Sequence, residues 1–304
     1  MADSFHYGGQ AVMEGVMIRG REGVAISVRQ PNGKLNVVRQ PLAAIYKGRL
    51  RQIPFVRGLI VLVETLVLGT QSLLHSAQIA AAEETDEKIP AAVLWGTVVV
   101  SLALGVALFF LGPLFATRYL IDPHVSSALL SNIFEGLIRI GIFIAYLKVI
   151  SLIPDISRVF AYHGAEHKTV NAYEAGAPLE VESVKKYSTA HARCGTAFLF
   201  IVLIVAVFVF ALVGQPTIWM RILSRVALVP VIAVISYEIM RLGAAHINNR
   251  VVRTILAPGL LLQAMTTREP DDGQIQAAIS ALNEVLSMDD TSVTIVGTNE
   301  PLTG

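Results

Sequence analysis

The sequence predicts an α-helical polytopic membrane protein: about four transmembrane helices, a re-entrant or interfacial helix, and a small β-rich N-terminal cytoplasmic region. Three observations predict it. Of 304 residues only 15% are charged and 54% are hydrophobic, with mean hydropathy +0.60, whereas soluble domains run near 25% charged. No charged residue occurs between Lys88 and Arg118 or between Arg193 and Arg221; each run exceeds the roughly 20 residues that cross a hydrocarbon core. Finally, Lys and Arg gather in segments that an even number of spans places on one side of the bilayer.

Residues 1–57 are the basic β-rich region. In Gly23 to Arg39, Val24, Ile26 and Val28 alternate with Ala25 and Ser27, Asn32-Gly33 suits a type I′ turn, and Leu35 to Val38 returns. Ala11 to Gly20 reads as a further strand. Nine Lys/Arg (19, 21, 29, 34, 39, 47, 49, 51, 57) face Asp3, Glu14 and Glu22, a local balance of 9 − 3 = +6. Residues 58–90 hold a re-entrant or interfacial helix, Leu59 to Ala82, and the acidic linker Glu83 to Lys88. Counting that helix as a span would put the most basic region outside.

Residues 91–153 carry the first two transmembrane helices, Ala91 to Ala116 and Ala128 to Ile150, the second with Glu135 and Arg139 at i, i+4. Residues 154–194 are a polar cytoplasmic segment. Residues 195–245 carry the third and fourth helices, Gly195 to Val213 and Ile218 to Leu242, joined at Gly214-Gln215-Pro216; the last includes Arg225, Pro230 and Glu238. Residues 246–304 are a cytoplasmic C-terminal amphipathic helix and tail. Pro270 opens that helix, Asp271 and Asp272 suit its dipole, and Ile275, Ile279, Leu282 and Leu286 share a face; the last dozen residues read as frayed. The short loops 119–127 and 214–217 hold almost no Lys or Arg, which predicts a multi-pass inner (plasma) membrane protein with both termini cytoplasmic.

Net charge +1 and a single cysteine, Cys194, point to neither a nucleic-acid coat nor a disulfide framework. The N-terminus lacks the basic start and apolar stretch of a signal peptide. No internal repeat, P-loop, Rossmann fingerprint or nucleophile elbow is present.

The sharpest chemical signal is His163-Gly-Ala-Glu166-His167. Histidines at i and i+4 share one helix face and can ligate one metal, and the glutamate between them can act on a bound water, the H-x-x-E-H order of inverted zinc peptidases. Further ligands are available in His191 and Cys194, an H-x-x-C unit before the third helix, with Glu174 and His246 also in reach by topology. The alternative is that these groups make interfacial hydrogen bonds and that Cys194 is a small buried hydrophobe. Glu135–Arg139 and Arg225 with Glu238 sit within apparent spans, where ionisable groups suggest a functional site, although structural pairing near helix ends is favoured over it; Asn248-Asn249-Arg250 and Thr266-Thr267-Arg268-Glu269 could bind anions, with helix capping the favoured role.

The stretches GGQAVMEGVMIRG (8–20), YHGAEHKTVNAYE (162–174), HARCGTAF (191–198) and PGLLLQAMTTREPDD (258–272) together resemble the YqhQ family of uncharacterised bacterial membrane proteins over nearly the whole chain. The resemblance implies a predicted metal-dependent enzyme without an assigned reaction. A proline often follows the histidine of the third motif, where this chain has Ala192.

The first functional expectation is therefore a membrane-embedded, metal-dependent enzyme, a hydrolase with its site at the cytoplasmic interface. His163, His167 and His191 would hold a divalent transition metal, zinc first, with Cys194 as a fourth ligand and Glu166 as general base; the substrate would be a small molecule or peptide. The second is a non-catalytic scaffold or membrane-protein biogenesis factor whose basic N-terminal region engages the lipid bilayer, a membrane protein or the ribosome. A small transporter ranks third, because four helices leave little room for inverted repeats.

Overall fold

Alternating β-branched residues between tight turns build one antiparallel sheet in the order β1 (Gly8–Val12), β2 (Gly15–Arg19), β3 (Gly23–Arg29), β4 (Leu35–Pro41). The computed structural model describes residues 5–81, 90–191, 193–214, 216–246 and 249–297; the predicted acidic linker 83–88 and the final seven residues lie outside them. The single strand expected over Ala11 to Gly20 is instead the end of β1, a turn at Met13-Glu14, and β2, with Val12 paired to Gly15. Glu14 turns the chain in the left-handed region at φ 52°, uncommon for a side chain other than glycine, asparagine or aspartate. The β3–β4 connection also departs from the expected type I′ turn, which needs positive φ at both central residues. Here Gly33 alone is left-handed (φ 81°), and its N–H donates to the Gln30 carbonyl at 2.9 Å. Pro31 presets the turn's second position, so a turn closed by a left-handed glycine replaces the two-residue loop.

Both faces of the sheet are covered. Val16, Ile18 and Ala25 pack into a core with Tyr162, Ile275, Ala278 and Leu282. Met17, Val24, Ile26 and Val28 pack on the other face with Val12, Leu42 and Leu68. Double-sided burial explains why β3 is apolar at nearly every position.

After β4 come a single turn, α1 (Ala44–Lys47), a 3₁₀ turn at Arg49–Gln52, and α2 (Val56–Ala81). In α2 the helix runs without the interruption that a re-entrant path would need. α3 (Ala91–Val106) passes through a π turn (Ala107–Leu111) into α4 (Gly112–Leu120); α5 is Ala128–Ile150 and α6 Pro154–Glu174. The predicted polar segment 154–193 is thus largely helix, opened by Pro154 at its first turn. A one-turn α7 (Val181–Val184), α8 (Gly195–Val213), α9 (Ile218–Ala227), α10 (Val229–Ala245), α11 (Arg250–Thr266) and α12 (Asp272–Gly297) follow among the described residues. Pro230 at the start of α10 breaks the expected fourth helix, and α9 and α10 meet at a 44° bend. The C-terminal helix docks as expected: Ile275, Ile279 and Leu282 lie in the core with α6 and the sheet. Its first turn is closed by a reciprocal pair, Gln274 N–H to Asp271 Oδ1 at 2.8 Å and Asp271 N–H to Gln274 Oε1 at 2.9 Å.

Among the described residues, three helical stretches are long and apolar enough to cross a membrane, 56–80, 92–120 and 195–213; counting the bent pairs α5–α6 (100°) and α9–α10 as one each raises the number to five. The expected figure of about four lies inside that range. Polarity in the helical bundle is inverted relative to a water-soluble fold. Leu212 is 90% exposed and Trp219 78%, while Arg225, Glu135 and Arg139 are 1–3% exposed. Glu135 joins both arginines, accepting from Arg139 at 2.6 Å and from Arg225 at 2.7 and 2.9 Å, and Arg225 lies 4.2 Å from the Phe210 ring centre.

Candidate metal centre

The i, i+4 spacing on α6 does what the sequence predicts: His163 and His167 present their rings on one face, with centres 4.4 Å apart. The third member comes from the start of α8, where Cys194 is the N-cap residue and its Sγ accepts from the Thr196 N–H at 3.4 Å. One candidate ligand atom from each of His163, His167 and Cys194 lies within 4.8 Å of the other two. Cys194 Sγ is 3.3 Å from His163 Nε2.

Backbone carbonyls orient both imidazoles. His163 Nδ1 lies 2.9 Å from the Thr266 carbonyl oxygen and His167 Nδ1 2.5 Å from that of Thr189. A carbonyl can only accept, so each Nδ1 carries the proton, and a neutral ring offers its Nε2 lone pair to the common centre. This is how metal-ligating histidines are commonly held. Thr266 ends α11 beside α6, and it can come so close because residue 164 is glycine: a Cβ there would overlap the Arg268 carbonyl oxygen. The predicted capping role of this segment is also seen, since Arg268 Nη1 donates to the Thr267 carbonyl at 2.9 Å, beside the C-terminal end of α11.

His191 stands next to this group rather than in it. Its ring centre is 5.6 Å from that of His167, and its Nε2 is 3.6 Å from Glu174 Oε2. Its backbone is clamped by Gln263, whose Oε1 accepts from the His191 N–H at 2.8 Å and whose Nε2 donates to its carbonyl at 3.0 Å. Glu174 is taken up by Arg193, and His246 is exposed with its Nδ1 at 2.9 Å from the Leu242 carbonyl. Neither joins the three-residue group.

Glu166 is 4% exposed. Its Oε1 accepts from the Gly9 N–H at 3.0 Å, tying β1 to α6, and its Oε2 lies 3.5 Å from His167 Nε2. Residue 9 must be glycine, because a Cβ would overlap the Met17 carbonyl.

Charge is concentrated here. Burial pushes the Cys194 thiol up, but hydrogen bonds and positive charge from His163 and His167 outweigh it and hold the group at about 4. Burial likewise pushes His167 down, and Cys194, Glu166 and the Thr189 carbonyl reverse this to about 9. Without a metal, the pair is thiolate and imidazolium at neutral pH.

Gln263, the Thr189 and Thr266 carbonyls and Gly164 were missed by residue-type reasoning, because main-chain acceptors have no signature in a sequence. Their signal is positional: three of the four fall within the stretches 162–174 and 258–272 that carry the family resemblance.

Residues 53–288 match the family model described as "Protein of unknown function (DUF1385)". The "Uncharacterized protein YqhQ" of Bacillus subtilis (strain 168) is 33% identical over 296 residues, covering 93% of each chain. No solved structure matches the chain significantly.

Proposed function

The chain belongs to the DUF1385 family, and from the site itself we propose that it is a membrane-embedded, metal-dependent enzyme. In this reading it is a hydrolase whose centre sits at the cytoplasmic interface of the plasma membrane. The observation that carries the proposal is the convergence of His163, His167 and Cys194, with both imidazoles fixed through Nδ1 so that Nε2 faces the centre.

The donor set, one thiolate and two neutral imidazoles, suits zinc and leaves a fourth position open. When bound, the ion supplies a Lewis acid. The chain's own residues do the rest. Thr189 and Thr266 hold the rings in register, and the α8 N-terminus favours the Cys194 thiolate. Glu166 keeps one oxygen on the Gly9 N–H while its other lies 3.5 Å from His167 Nε2, and in this reading it takes a proton from an attacking water. The inverted polarity of the bundle supports membrane embedding, and the charge asymmetry of the loops supports the orientation. A scaffold role for the basic N-terminal region draws less support, because Arg19 and Arg51 both pair with Glu64, and Lys47 with Glu22.

Metal analysis of purified protein tests the proposal. Close to one zinc per chain is expected, absent from His163→Ala, His167→Ala and Cys194→Ala and retained in Glu166→Gln. Folded protein that takes up no metal on titration overturns it.

A further inference from the structure

We propose that α2 lies in the plane of the membrane as a raft, carrying the sheet on one side and resting on lipid with the other. Length and hydropathy alone would equally let it span. Its two sides decide the matter. One is covered by protein along most of the helix: Glu64 accepts from Arg19 at 2.9 Å, Leu68 joins the sheet core, the Gly69 carbonyl accepts from Gln10 at 3.1 Å, and Ser76 Oγ accepts from the Met13 N–H at 3.1 Å.

From Glu64 to Ser76 is 12 residues, about 18 Å of helix. Were α2 a span, that much of the sheet, with Arg19 and the polar main chain of its β1 edge, would be drawn into hydrocarbon, where unpaired backbone groups and charges cost several kcal/mol each.

The other side carries an apolar stripe that the described residues leave exposed. Leu59, Val63, Leu66, Val67 and Leu73 are all exposed. At about 100° per residue they fall within roughly a third of the helix circumference. A span at the rim of the bundle would show such a stripe as well, so what sets α2 in the interfacial plane is the sheet packed along its opposite side, with the stripe facing lipid beneath it. The occupant is lipid rather than protein because the stripe runs into the exposed apolar surface of the bundle. Near its start α2 crosses α10, with Gly58 against Val234, and Val231 and Ile239 of α10 are themselves exposed. The consequence for the site is a fixed height: the sheet that rides on α2 is the one whose Gly9 N–H holds Glu166.

The inference rests on the membrane embedding proposed above, and one experiment separates the two. Single tryptophans are placed at Leu59, Val63, Leu66 and Leu73, with Phe208 on α8 as reference, in the full chain carrying Trp95→Phe and Trp219→Phe. Each protein is reconstituted in phosphatidylcholine–phosphatidylglycerol vesicles brominated at shallow or deep acyl positions. For a raft, all four α2 tryptophans are quenched most by shallow bromines while Phe208→Trp is quenched most by deep ones. A profile in which Leu66→Trp is deep and Leu59→Trp shallow makes α2 a span and overturns the inference. So does the absence of quenching at all four positions while Phe208→Trp is quenched, which would mean that protein or water covers the face. An unquenched Phe208→Trp overturns the membrane reading and this inference with it.

Discussion

Arg139 donates from Nε to the main-chain carbonyl of Phe109 at 3.0 Å. Pro113 follows Phe109 by four residues and has no N–H to give that carbonyl, and the helix passes through a π turn at 107–111. A side chain from α5 therefore supplies a donor at the point where a proline withholds one.

The same arginine shares Glu135 with Arg225, so one carboxylate holds two guanidinium groups that are each at most 3% exposed. Removing it leaves two buried cations facing each other. Glu135→Gln is expected to destabilise the bundle by about 3–5 kcal/mol, the usual range for breaking a buried ion pair from one side. Thermal unfolding in detergent measures this, and a variant as stable as the parent would show that the cluster is solvated.

A second lock holds the C-terminal helix. Asp289 accepts from the Tyr7 hydroxyl at 2.9 Å and from the Arg21 and Glu22 N–H groups at 3.0 Å each, closing the β2–β3 turn against α12. With hydrogen bonds to a charged acceptor worth about 1.5–3 kcal/mol each and not additive, Asp289→Ala should cost about 2–4 kcal/mol. Limited proteolysis should then release a C-terminal fragment from the variant faster than from the parent.

Much of this architecture was legible because hydropathy and periodicity report burial directly: the sheet, the long apolar helices and the docking face of α12 follow from runs such as Ile275, Ile279 and Leu282. What remained hidden depends on which side of a residue another element arrives. His191 and Cys194 are three positions apart and both are ligand types. The choice between them was made by Gln263 seizing the backbone of one and α8 beginning on the other, both tertiary events. For α2 the hydropathy of an in-plane helix equals that of a span, and only Glu64, Ser72 and Ser76 recurring on one side hinted at a protein-covered face. The turn at Asn32-Gly33 failed because the local preference of Pro31 overrode the dipeptide.

Gly164 allows a test of the proposed ligand orientation that leaves every proposed ligand in place. A methyl group there must push the 266–268 segment away, and with it the Thr266 carbonyl that orients His163. Gly164→Ala should cost about 1–3 kcal/mol as an overpacked contact and lower zinc affinity about 10- to 100-fold, the usual effect of losing an outer partner. Competition against a chelator of known affinity reads the second number. Unchanged affinity in a destabilised variant would separate the carbonyl from metal binding.

The charge state of the metal-free site predicts a pH window. Cys194 is held at about 4 in the fold, below the ordinary thiol value, once the imidazoles overcome the effect of burial. A group whose pKa is lowered by folding stabilises the protein above its unfolded pKa and loses that contribution as pH falls through the folded one. His167 is raised to about 9; its contribution is complete below its unfolded pKa and is lost as pH rises through about 9. Metal-free protein should therefore be more stable than its Cys194→Ser counterpart near neutral pH. The difference in melting temperature should shrink toward pH 4 on the acid side and again above pH 9, where His167 no longer carries the charge that pairs with the thiolate. Zinc should widen this window upward, because a ligated thiolate no longer needs imidazolium beside it, while on the acid side protons compete with the metal for both nitrogens and sulfur. Melting curves of metal-free and zinc-loaded protein from pH 4 to 10 check both limits, and a Cys194→Ser difference that does not change across that range would show that the thiol is neutral in the fold.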